Sequence, residues 1–243
     1  MDSLLVRFIV GFILNLAIGT YAFTQQMIDD AAFLGGVVLF TLVFVCLNWQ
    51  AYIIIIAFFV INGFVLEQES KYKSQRGEFA LFKAKRPLKR VLGRSLPGAV
   101  FAVLFFLTGR DDFRIAFVAS YAAAVFDAVS TKMGQIFSRV AVTITGLKKV
   151  KHGTPGAVSL QGTLAGLAAA LIVSIVAIPV RFINFYELGI IVFAALISGF
   201  IDSFLSAYSH QNRRIPNEFI NFFSSMSAGL ICIFAVWFLG LAY

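Results

Sequence analysis

The chain has 243 residues, of which 60% are hydrophobic and only 13% are charged. Soluble globular domains carry roughly 25% charged residues, so this composition excludes an ordinary water-soluble fold and predicts a protein embedded in a lipid bilayer. The formal net charge of +8 comes from basic residues that lie between apolar segments, without a recognisable nucleic-acid-binding motif. Membrane lipid or a phosphorylated ligand is therefore the expected partner, and nucleic acid is not.

Eight apolar segments follow one another along the chain. They predict an all-α fold, a polytopic transmembrane helical bundle of about eight spans (seven to nine) in a single integral membrane domain, residues 1–243. The second, third and fourth are shorter than the roughly 20 residues that cross a bilayer, so one pair could form a re-entrant hairpin or a broken helix. The first has no convincing small-residue cleavage site and is expected to remain in the mature chain. The segments are 4–23, 31–47, 51–66, 96–108, 113–131, 158–180, 188–207 and 219–241.

Lysine and arginine residues are distributed unevenly between the two sides of the predicted bundle. Sixteen of the 20 lie in the connections after the first, third, fifth and seventh segments. Because basic residues accumulate in cytoplasmic loops, the basic loop 67–95 and the basic, glycine-rich loop 132–157 are predicted to be cytoplasmic, with both termini on the other side. The alternative is that these charges only enforce topology. The basic residues on the other side are Arg7, Arg110, Arg114 and Arg181.

Two carboxylates lie inside apolar segments. Asp127 is near the end of the fifth segment and Asp202 near the end of the seventh, and both segments run toward the basic side. An ionisable group within a membrane span is costly and usually faces the bundle interior or a wet cavity, which makes both residues candidates for a catalytic or metal-binding role. The alternative for each is a carboxylate satisfied by a neighbouring serine, threonine or arginine.

A glycine-rich stretch closes the second basic loop and opens the sixth segment. Glycines and hydroxyl side chains at the start of a helix allow backbone N–H groups to approach an anion, and the helix dipole favours negative charge there. The stretch is not a Walker sequence, because the terminal Gly-Lys-Ser/Thr is missing. Gly162 and Gly166 also form a GxxxG pair, for which helix packing is the alternative. The candidate phosphate-binding residues are Gly153, Thr154, Gly156, Ser159, Gly162 and Thr163.

The start of the last segment adds two amides. Asn217 and Asn221 are four residues apart and so share one helical face on the basic side; helix capping by Asn217 is the alternative. His210 lies in a polar connection with no partner at ligand spacing, and we assign it no role. Two acids, two amides, a glycine-rich helix start and surrounding lysines and arginines together predict a magnesium and phosphate site at the membrane surface.

The segments 127–134, 153–166, 202–203 and 217–221 resemble, in their order and spacing, the membrane family that contains plant and cyanobacterial phytyl-phosphate kinase and vertebrate transmembrane protein 19. The resemblance covers most of the chain. It implies transfer of a phosphate from a nucleoside triphosphate, with CTP favoured, to a prenyl monophosphate such as phytyl or geranylgeranyl phosphate. It also implies roles for the residues: Asp127 and Asp202 hold Mg²⁺ or phosphate, the glycine-rich stretch cradles phosphate, and Asn217, Asn221 and Ser203 complete the site.

Three positions depart from the family pattern. Ala128 and Lys132 stand where the family has the threonine of Asp-Thr and the glutamate of Ser-Glu-Ile-Gly, and Arg94 stands where an asparagine is expected. A cation cannot replace a metal-binding glutamate, but Lys132 and Arg94, with Lys149 of the second basic loop, could contact phosphate directly.

The sequence therefore predicts a membrane kinase-like phosphotransferase whose active face is cytoplasmic. Two other classes stay open. A transporter of a phosphorylated or anionic solute should have polar residues on both sides of a midplane site, and the clustering on one side argues against it. A catalytically inactive membrane scaffold is favoured by Ala128 and Lys132.

Overall fold

The computed structural model describes residues 3–75, 88–138, 140–144, 146, 148–150, 154–212 and 215–240. In these ranges the protein is a helical bundle with one small sheet, which confirms the predicted all-α membrane fold. Six of the helices are long and apolar enough to cross a membrane, and α5 is a shorter apolar helix. The helices are α1 (Leu4–Thr24), α2 (Asp30–Gln75), α3 (Leu88–Thr108), α4 (Asp111–Phe137), α5 (Leu160–Val176), α6 (Phe185–Asn212) and α7 (Asn217–Phe238), and the strands are β1 (Ala141–Thr143), β2 (Lys149–Val150) and β3 (Ala157–Val158).

Helix α2 is a helical hairpin. Its backbone breaks at Asn48, where φ is 63° and ψ is −170°. The rings of Phe40 and Phe59 lie 5.7 Å apart across this break, whereas a straight helix would separate these residues by about 28 Å. The two antiparallel halves correspond to the predicted segments 31–47 and 51–66. Counted separately, the halves bring the apolar helical segments of the described residues to the predicted eight.

The helices extend further at the basic side than the sequence predicts. Residues 67–75 continue α2 and residues 88–95 begin α3, so both ends of the predicted loop 67–95 are helical, while 76–87 lie outside the described residues. Helix α4 likewise runs to Phe137 rather than ending at Thr131.

The second predicted loop, 132–157, contains a three-stranded antiparallel sheet in the order β2-β1-β3. Ala141 pairs with Val150 on one side of the central strand. Val142 pairs with Val158 on the other side. Since β3 leads directly into α5, this sheet fixes where the glycine-rich stretch enters the bundle.

Helix α4 forms the centre of the bundle. Every side chain from Ile115 to Val125 is buried, whereas α1 exposes most of its apolar side chains, as expected for a peripheral helix that faces lipid. One end of the bundle, which we call the basic end, gathers the ends of α4 and α6 and the starts of α3, α5 and α7 around a cavity. The opposite end gathers the start of α1, the break at Asn48 and the start of α4 around a smaller cavity. This alternation agrees with the predicted topology; which end faces the cytoplasm stays a prediction.

Candidate functional site

The basic end contains a cavity of about 690 Å³. Pockets for small ligands typically measure about 300–1,000 Å³, so this volume suits a ligand larger than a single ion. Twelve of the 14 site residues predicted from the sequence line it: Arg94, Asp127, Lys132, Thr154, Gly156, Ser159, Gly162, Thr163, Asp202, Ser203, Asn217 and Asn221.

Two predicted site residues are not brought to the cavity. Gly153 lies outside the described residues. Lys149 is exposed on β2 and is not among the lining residues. The reason is the strand order: β2 and β3 lie on opposite sides of β1, and it is β3 that joins α5. The sheet therefore holds Lys149 away from the helix start where phosphate contact was predicted.

Asp127 on α4 and Asp202 on α6 converge in the cavity. Their carboxyl groups interact through a side-chain hydrogen bond and through their charges. Arg94 Nη2 donates to Asp127 Oδ2 at 2.9 Å, and Thr131 Oγ1 donates to Asp127 Oδ1 at 3.3 Å. Satisfaction by neighbouring side chains thus accounts for Asp127. It accounts for Asp202 only in part. Ser224 and Asp127 form side-chain hydrogen bonds with this carboxyl group, but the residue is 7% exposed and its Oδ2 is buried without a hydrogen-bond partner among the described residues.

The donor set fits a magnesium ion that is completed by a ligand. Two carboxylates in contact repel unless a proton or a cation lies between them, and the orphaned Oδ2 of Asp202 has free lone pairs for a cation. The described residues contain no group of three or more His, Cys, Asp or Glu side chains that could hold a metal without other ligands. Mg²⁺ is commonly bound by one or two carboxylates together with substrate phosphates and water. Asp127 and Asp202 could supply the two carboxylates of such a site.

The glycine-rich stretch makes a tight turn against α6. Ala157 N donates to Thr154 O at 3.1 Å, and Gly156 within this turn has a φ of +72°. Pro followed by a residue with positive φ is the pattern of a type II turn, which favours glycine at the second central position. A Cβ on Gly156 would also lie 2.4 Å from Ala207 Cβ. Backbone conformation and packing both require glycine here. They hold this loop against Ala207, which lies five residues after Asp202 on α6.

The start of α5 points into the cavity and packs closely on α4. Ser159 is the N-cap residue, and its Oγ accepts from Gly162 N at 3.2 Å. A Cβ on Gly162 would lie 2.5 Å from Ser130 O, and one on Gly166 would lie 2.9 Å from Phe126 O. Packing of a GxxxG pair therefore accounts for both glycines, and Gly162 additionally lines the cavity. This close approach places the N-terminal N–H groups of α5, where anions are favoured, beside the end of α4.

The start of α7 completes the wall of the cavity. Its N-cap residue is Pro216, without a side-chain capping bond, so the alternative that Asn217 caps this helix is wrong. Asn217 and Asn221 both line the cavity, as their shared helical face predicts. Lys89 Nζ lies 3.6 Å from Glu218 Oε1 and links the starts of α3 and α7.

Both cations that depart from the family pattern have carboxylate partners. Arg94 pairs with Asp127, and Lys132 Nζ lies 3.3 Å from Glu69 Oε2 at the end of α2. Glu69 Oε1 also accepts from Lys73 Nζ at 2.7 Å. The lysine at position 132 therefore does not stand as an isolated positive charge in the cavity. Its partner Glu69 lies in the last turns of α2, a stretch that the sequence analysis predicted to be part of the loop 67–95.

Further polar residues line the cavity that the sequence analysis did not assign. A helical pattern could have found some of them, because residues four and seven positions after Asp202 share its face. The same spacing after Asp127 reaches Thr131 and Gly134. His210, which was given no role, also lines the cavity. The additional polar lining residues are Ser130, Thr131, Gln135, Ser206, Ser209, His210 and Glu218.

The fold and the cavity define a polytopic helical membrane protein with a polar, anion-compatible site at one end. The chain matches the family described as integral membrane protein DUF92 over residues 13–229 and belongs to that family. This confirms the family resemblance seen in the sequence.

Three relatives show how far the similarity extends. Protein VTE6, chloroplastic, of Arabidopsis thaliana is 29% identical over 201 residues, which cover 77% of this chain and 60% of that protein. The uncharacterized membrane protein sll0875 of Synechocystis is 28% identical over 202 residues, or 81% of this chain and 78% of the relative. The uncharacterized membrane protein MJ0933 of Methanocaldococcus jannaschii is 23% identical and covers 93% of both chains. No solved structure matches the chain.

Proposed function

We propose that the protein is a membrane phosphotransferase that moves a phosphate from a nucleoside triphosphate, with CTP favoured, to a prenyl monophosphate such as phytyl or geranylgeranyl phosphate. The observation that carries the proposal is the convergence of Asp127 and Asp202 with the start of α5 in one cavity of about 690 Å³. Two further points support it: the chain belongs to the DUF92 family and is similar to protein VTE6, and its motifs resemble those of the family that contains phytyl-phosphate kinase.

The proposed reaction needs little covalent chemistry from the protein. A phosphate oxygen of the prenyl monophosphate attacks the γ-phosphorus of the nucleotide, and the bond between that phosphorus and the β–γ bridging oxygen breaks. The products are a prenyl diphosphate and a nucleoside diphosphate. Because the attacking oxygen is already anionic, no general base is required, and catalysis rests on positioning and charge neutralisation.

The residues that line the cavity can provide both positioning and charge neutralisation. The hydroxyls of Thr154, Ser159 and Thr163 surround the α5 start, where N–H groups and the helix dipole stabilise phosphate oxygens. Asp127 and Asp202 would hold Mg²⁺, which supplies neutralisation of the phosphate charge when bound.

Arg94 and Lys132 can bind the same phosphates in addition to their carboxylate partners. Arg94 is part-exposed in its pair with Asp127, and a phosphate carries more charge than a carboxylate and accepts the same bidentate contact from a guanidinium. Lys132 is held by Glu69 at the cavity wall. We propose that each cation contacts phosphate while remaining near its carboxylate.

The apolar tail of the substrate can remain in the membrane. Phe200 of α6 lines the cavity and is 41% exposed on the bundle surface, so the polar site adjoins a surface that faces lipid. Burial contributes about 0.8 kcal/mol per CH₂, which favours a long prenyl chain over a short one. A water-soluble phosphate ester should therefore be a poor substrate.

The two alternative functions, a transporter and an inactive scaffold, require different structures. A transporter needs a path between the two ends, whereas all side chains of Ile115–Val125 in the central helix are buried between the two cavities. An inactive scaffold requires only that the cavity be structural, and the replacement of an acidic residue by Lys132 favours it.

The decisive experiment is an assay of the purified protein. Geranylgeranyl phosphate, phytyl phosphate and a short-chain phosphate ester would each be incubated with Mg²⁺ and CTP, ATP, GTP or UTP, and diphosphate product measured. We expect product only with the long-chain substrates and loss of product in D202N. Absence of product with every nucleotide, together with no nucleotide-dependent thermal stabilisation in detergent, would assign the protein to the scaffold class.

A further inference from the structure

A second cavity, of about 190 Å³, lies at the end of the bundle opposite the candidate site. Three arginines from distant parts of the chain line it: Arg7 of α1, Arg114 of α4 and Arg181 of the connection between α5 and α6. Asn48 and Gln50, at the break in α2, line it as well. With Phe105 of α3, residues from five separate chain segments line this positively charged cavity.

The positive charge of this cavity is only partly balanced by the protein. Arg114 has partners for its charge, since its Nη1 donates to Phe182 O at 2.6 Å and its Nε lies 3.0 Å from Asp111 Oδ1 in an ion pair, although this Nε has no hydrogen bond of good geometry among the described residues. Arg7 and Arg181 form no ion pair within the described residues, and Arg7 Nε is buried without a hydrogen-bond partner there.

The neighbouring acids have other partners. Asp112 pairs with Arg110, with Nη2 and Oδ2 2.5 Å apart. Glu187 accepts from Asn184 N at 2.7 Å. Asp111, Asp112 and Glu187 do not line the cavity. Arg7, which is half-buried, and Arg181, which is also exposed to solvent, thus line a small space and have no carboxylate partner among the described residues. This is the electrostatic condition for an anion site.

Arg7 lies in the first turn of α1 and is half-buried. Leu4, Leu5, Val6 and Phe8 around it are exposed apolar side chains of a lipid-facing helix. An arginine in such a helix normally faces a partner or a wet cavity, and Arg7 lines the cavity. Arg181 lies in the left-handed backbone region, with a φ of 53°, an uncommon conformation that persists when the surroundings impose it.

The basic residues at this end of the bundle indicate which kind of anion the cavity could bind. All four basic residues that the sequence places at this end are arginines, whereas lysines are frequent at the basic end. The guanidinium group binds phosphate through two parallel hydrogen bonds and is less strongly hydrated than an ammonium group. The volume is below the roughly 300 Å³ of typical small-ligand pockets, so it suits a phosphate group and not a whole nucleotide.

We propose that this cavity binds a phosphate group through Arg7 and Arg181, and that in the membrane the group belongs to an anionic phospholipid of the leaflet opposite the candidate active site. The lipid source is favoured by the surroundings. Trp49, beside the break in α2, is 51% exposed, and tryptophan concentrates at the level of lipid headgroups. The lipid-facing side of α1 offers adjacent apolar surface for acyl chains. The proposal is independent of the proposed phosphotransferase activity.

The test uses the full chain in detergent and measures its apparent melting temperature. Phosphatidylglycerol, a diacylglycerol with the same acyl chains and inorganic phosphate would be added separately to wild type, R7Q, R181Q and R110Q. Arg110 is the matched control, because it is an arginine at the same end that pairs with Asp112 outside the cavity lining. We expect phosphatidylglycerol to raise the melting temperature of wild type and R110Q, with a smaller rise in R7Q and R181Q and none with diacylglycerol.

A binding measurement covers the case in which a variant folds poorly. In W237F, Trp49 is the remaining tryptophan and reports binding at the cavity by its fluorescence. We expect R7K and R181K to bind phosphatidylglycerol about tenfold more weakly than the parent, the effect of losing one charge-assisted contact. Equal stabilisation and equal affinity across all variants would overturn the site. An equal effect of inorganic phosphate would overturn the lipid source and assign the cavity to a free anion.

Discussion

At the scale of single residues, the two acids of the cavity differ in what surrounds them. Asp127 has Arg94 and Thr131 as partners, whereas Asp202 keeps a buried oxygen without one. The carboxyl groups of Asp127 and Asp202 share a hydrogen bond, and D202N keeps a donor at this position without adding a charge, so it should leave the melting temperature unchanged or raise it. D127N leaves Arg94 without its ion-pair partner and should lower it.

Both substitutions should nevertheless abolish the proposed activity. Asparagine preserves size and hydrogen bonding but removes the negative charge that would hold Mg²⁺, and loss of such an electrostatic contribution typically lowers kcat about 100-fold or more. The measurement pairs kcat with melting temperature for each variant. D30N is the control, because Asp30 is exposed at the start of α2 and does not line the cavity. Near-normal turnover in both D127N and D202N would contradict the assignment.

The pair between Lys132 and Glu69 gives a second prediction. K132E places two carboxylates together where a lysine and a glutamate lie 3.3 Å apart, so it should destabilise the protein by about 1 kcal/mol, as like charges in a part-exposed pair do. The charge-swapped double variant E69K/K132E should recover part of that loss. A double-mutant cycle of unfolding free energies measures the coupling, and zero coupling would show that the pair contributes nothing.

Variants of the same pair distinguish two possible functions of Lys132, contact with phosphate and neutralisation of Glu69. If Lys132 contacts phosphate, K132M should raise KM even when Glu69 is neutralised in E69Q/K132M. If the lysine only neutralises Glu69, the double variant should keep the KM of the wild type. Activity in E69K/K132E would indicate that a carboxylate at position 132, as in the family pattern, supports catalysis.

The sequence indicated most of the site for a simple geometric reason. Asp127 and Asp202 lie near the C-terminal ends of segments that run toward the basic side, and α5 and α7 begin on that side. Because successive spans alternate in direction, all four features meet at one end of the bundle. Glu69 was missed because its partner Lys132 is 63 positions away and nothing in either local sequence marks the contact. Lys149 was included for its charge, and only the strand order shows that it faces elsewhere.

At the scale of elements, the packing of α4 on α5 depends on glycine. A methyl group at position 162 would lie 2.5 Å from Ser130 O, so G162A must push the two helices apart. Overpacking of this kind costs about 1–3 kcal/mol, and we expect a lower melting temperature together with a higher KM, because the start of α5 moves. G63A is the control: a Cβ there meets nothing within 4 Å, and alanine should be neutral or stabilising in a helix. Equal melting temperatures for the two variants would contradict the packing.

The elements that the sequence did not predict have identifiable causes. Apolar periodicity ends near residue 66, but α2 continues because ion pairs four residues apart, between Glu67 and Lys71 and between Glu69 and Lys73, support the added turns. The three strands have two or three residues each, too few for an alternating pattern to be recognised. The hairpin in α2 was marked by the polar residues Asn48 and Gln50 between two apolar segments, although its left-handed backbone at Asn48 could not be read from the sequence.

At the scale of the whole molecule, the protein separates two polar cavities by a buried apolar middle. Arg114 and Asp127, which line different cavities, lie on the same helix with a buried stretch of α4 between them. That arrangement fits sites that act on opposite membrane faces without exchanging solutes.

Orientation in the membrane is the last prediction. Basic residues crowd the end that holds the larger cavity, so this end should be cytoplasmic and the end with Arg7 and Arg181 should face outward. Single cysteines at Lys149, exposed on β2, and at Thr108, exposed at the end of α3, mark the two ends. The native Cys46 and Cys232 are buried, so they should react slowly and can be replaced by alanine as a check. A membrane-impermeant maleimide added to intact cells should label T108C and spare K149C until the membrane is permeabilised. Rapid labelling of K149C with T108C protected would reverse the orientation and place the candidate active site on the outer face.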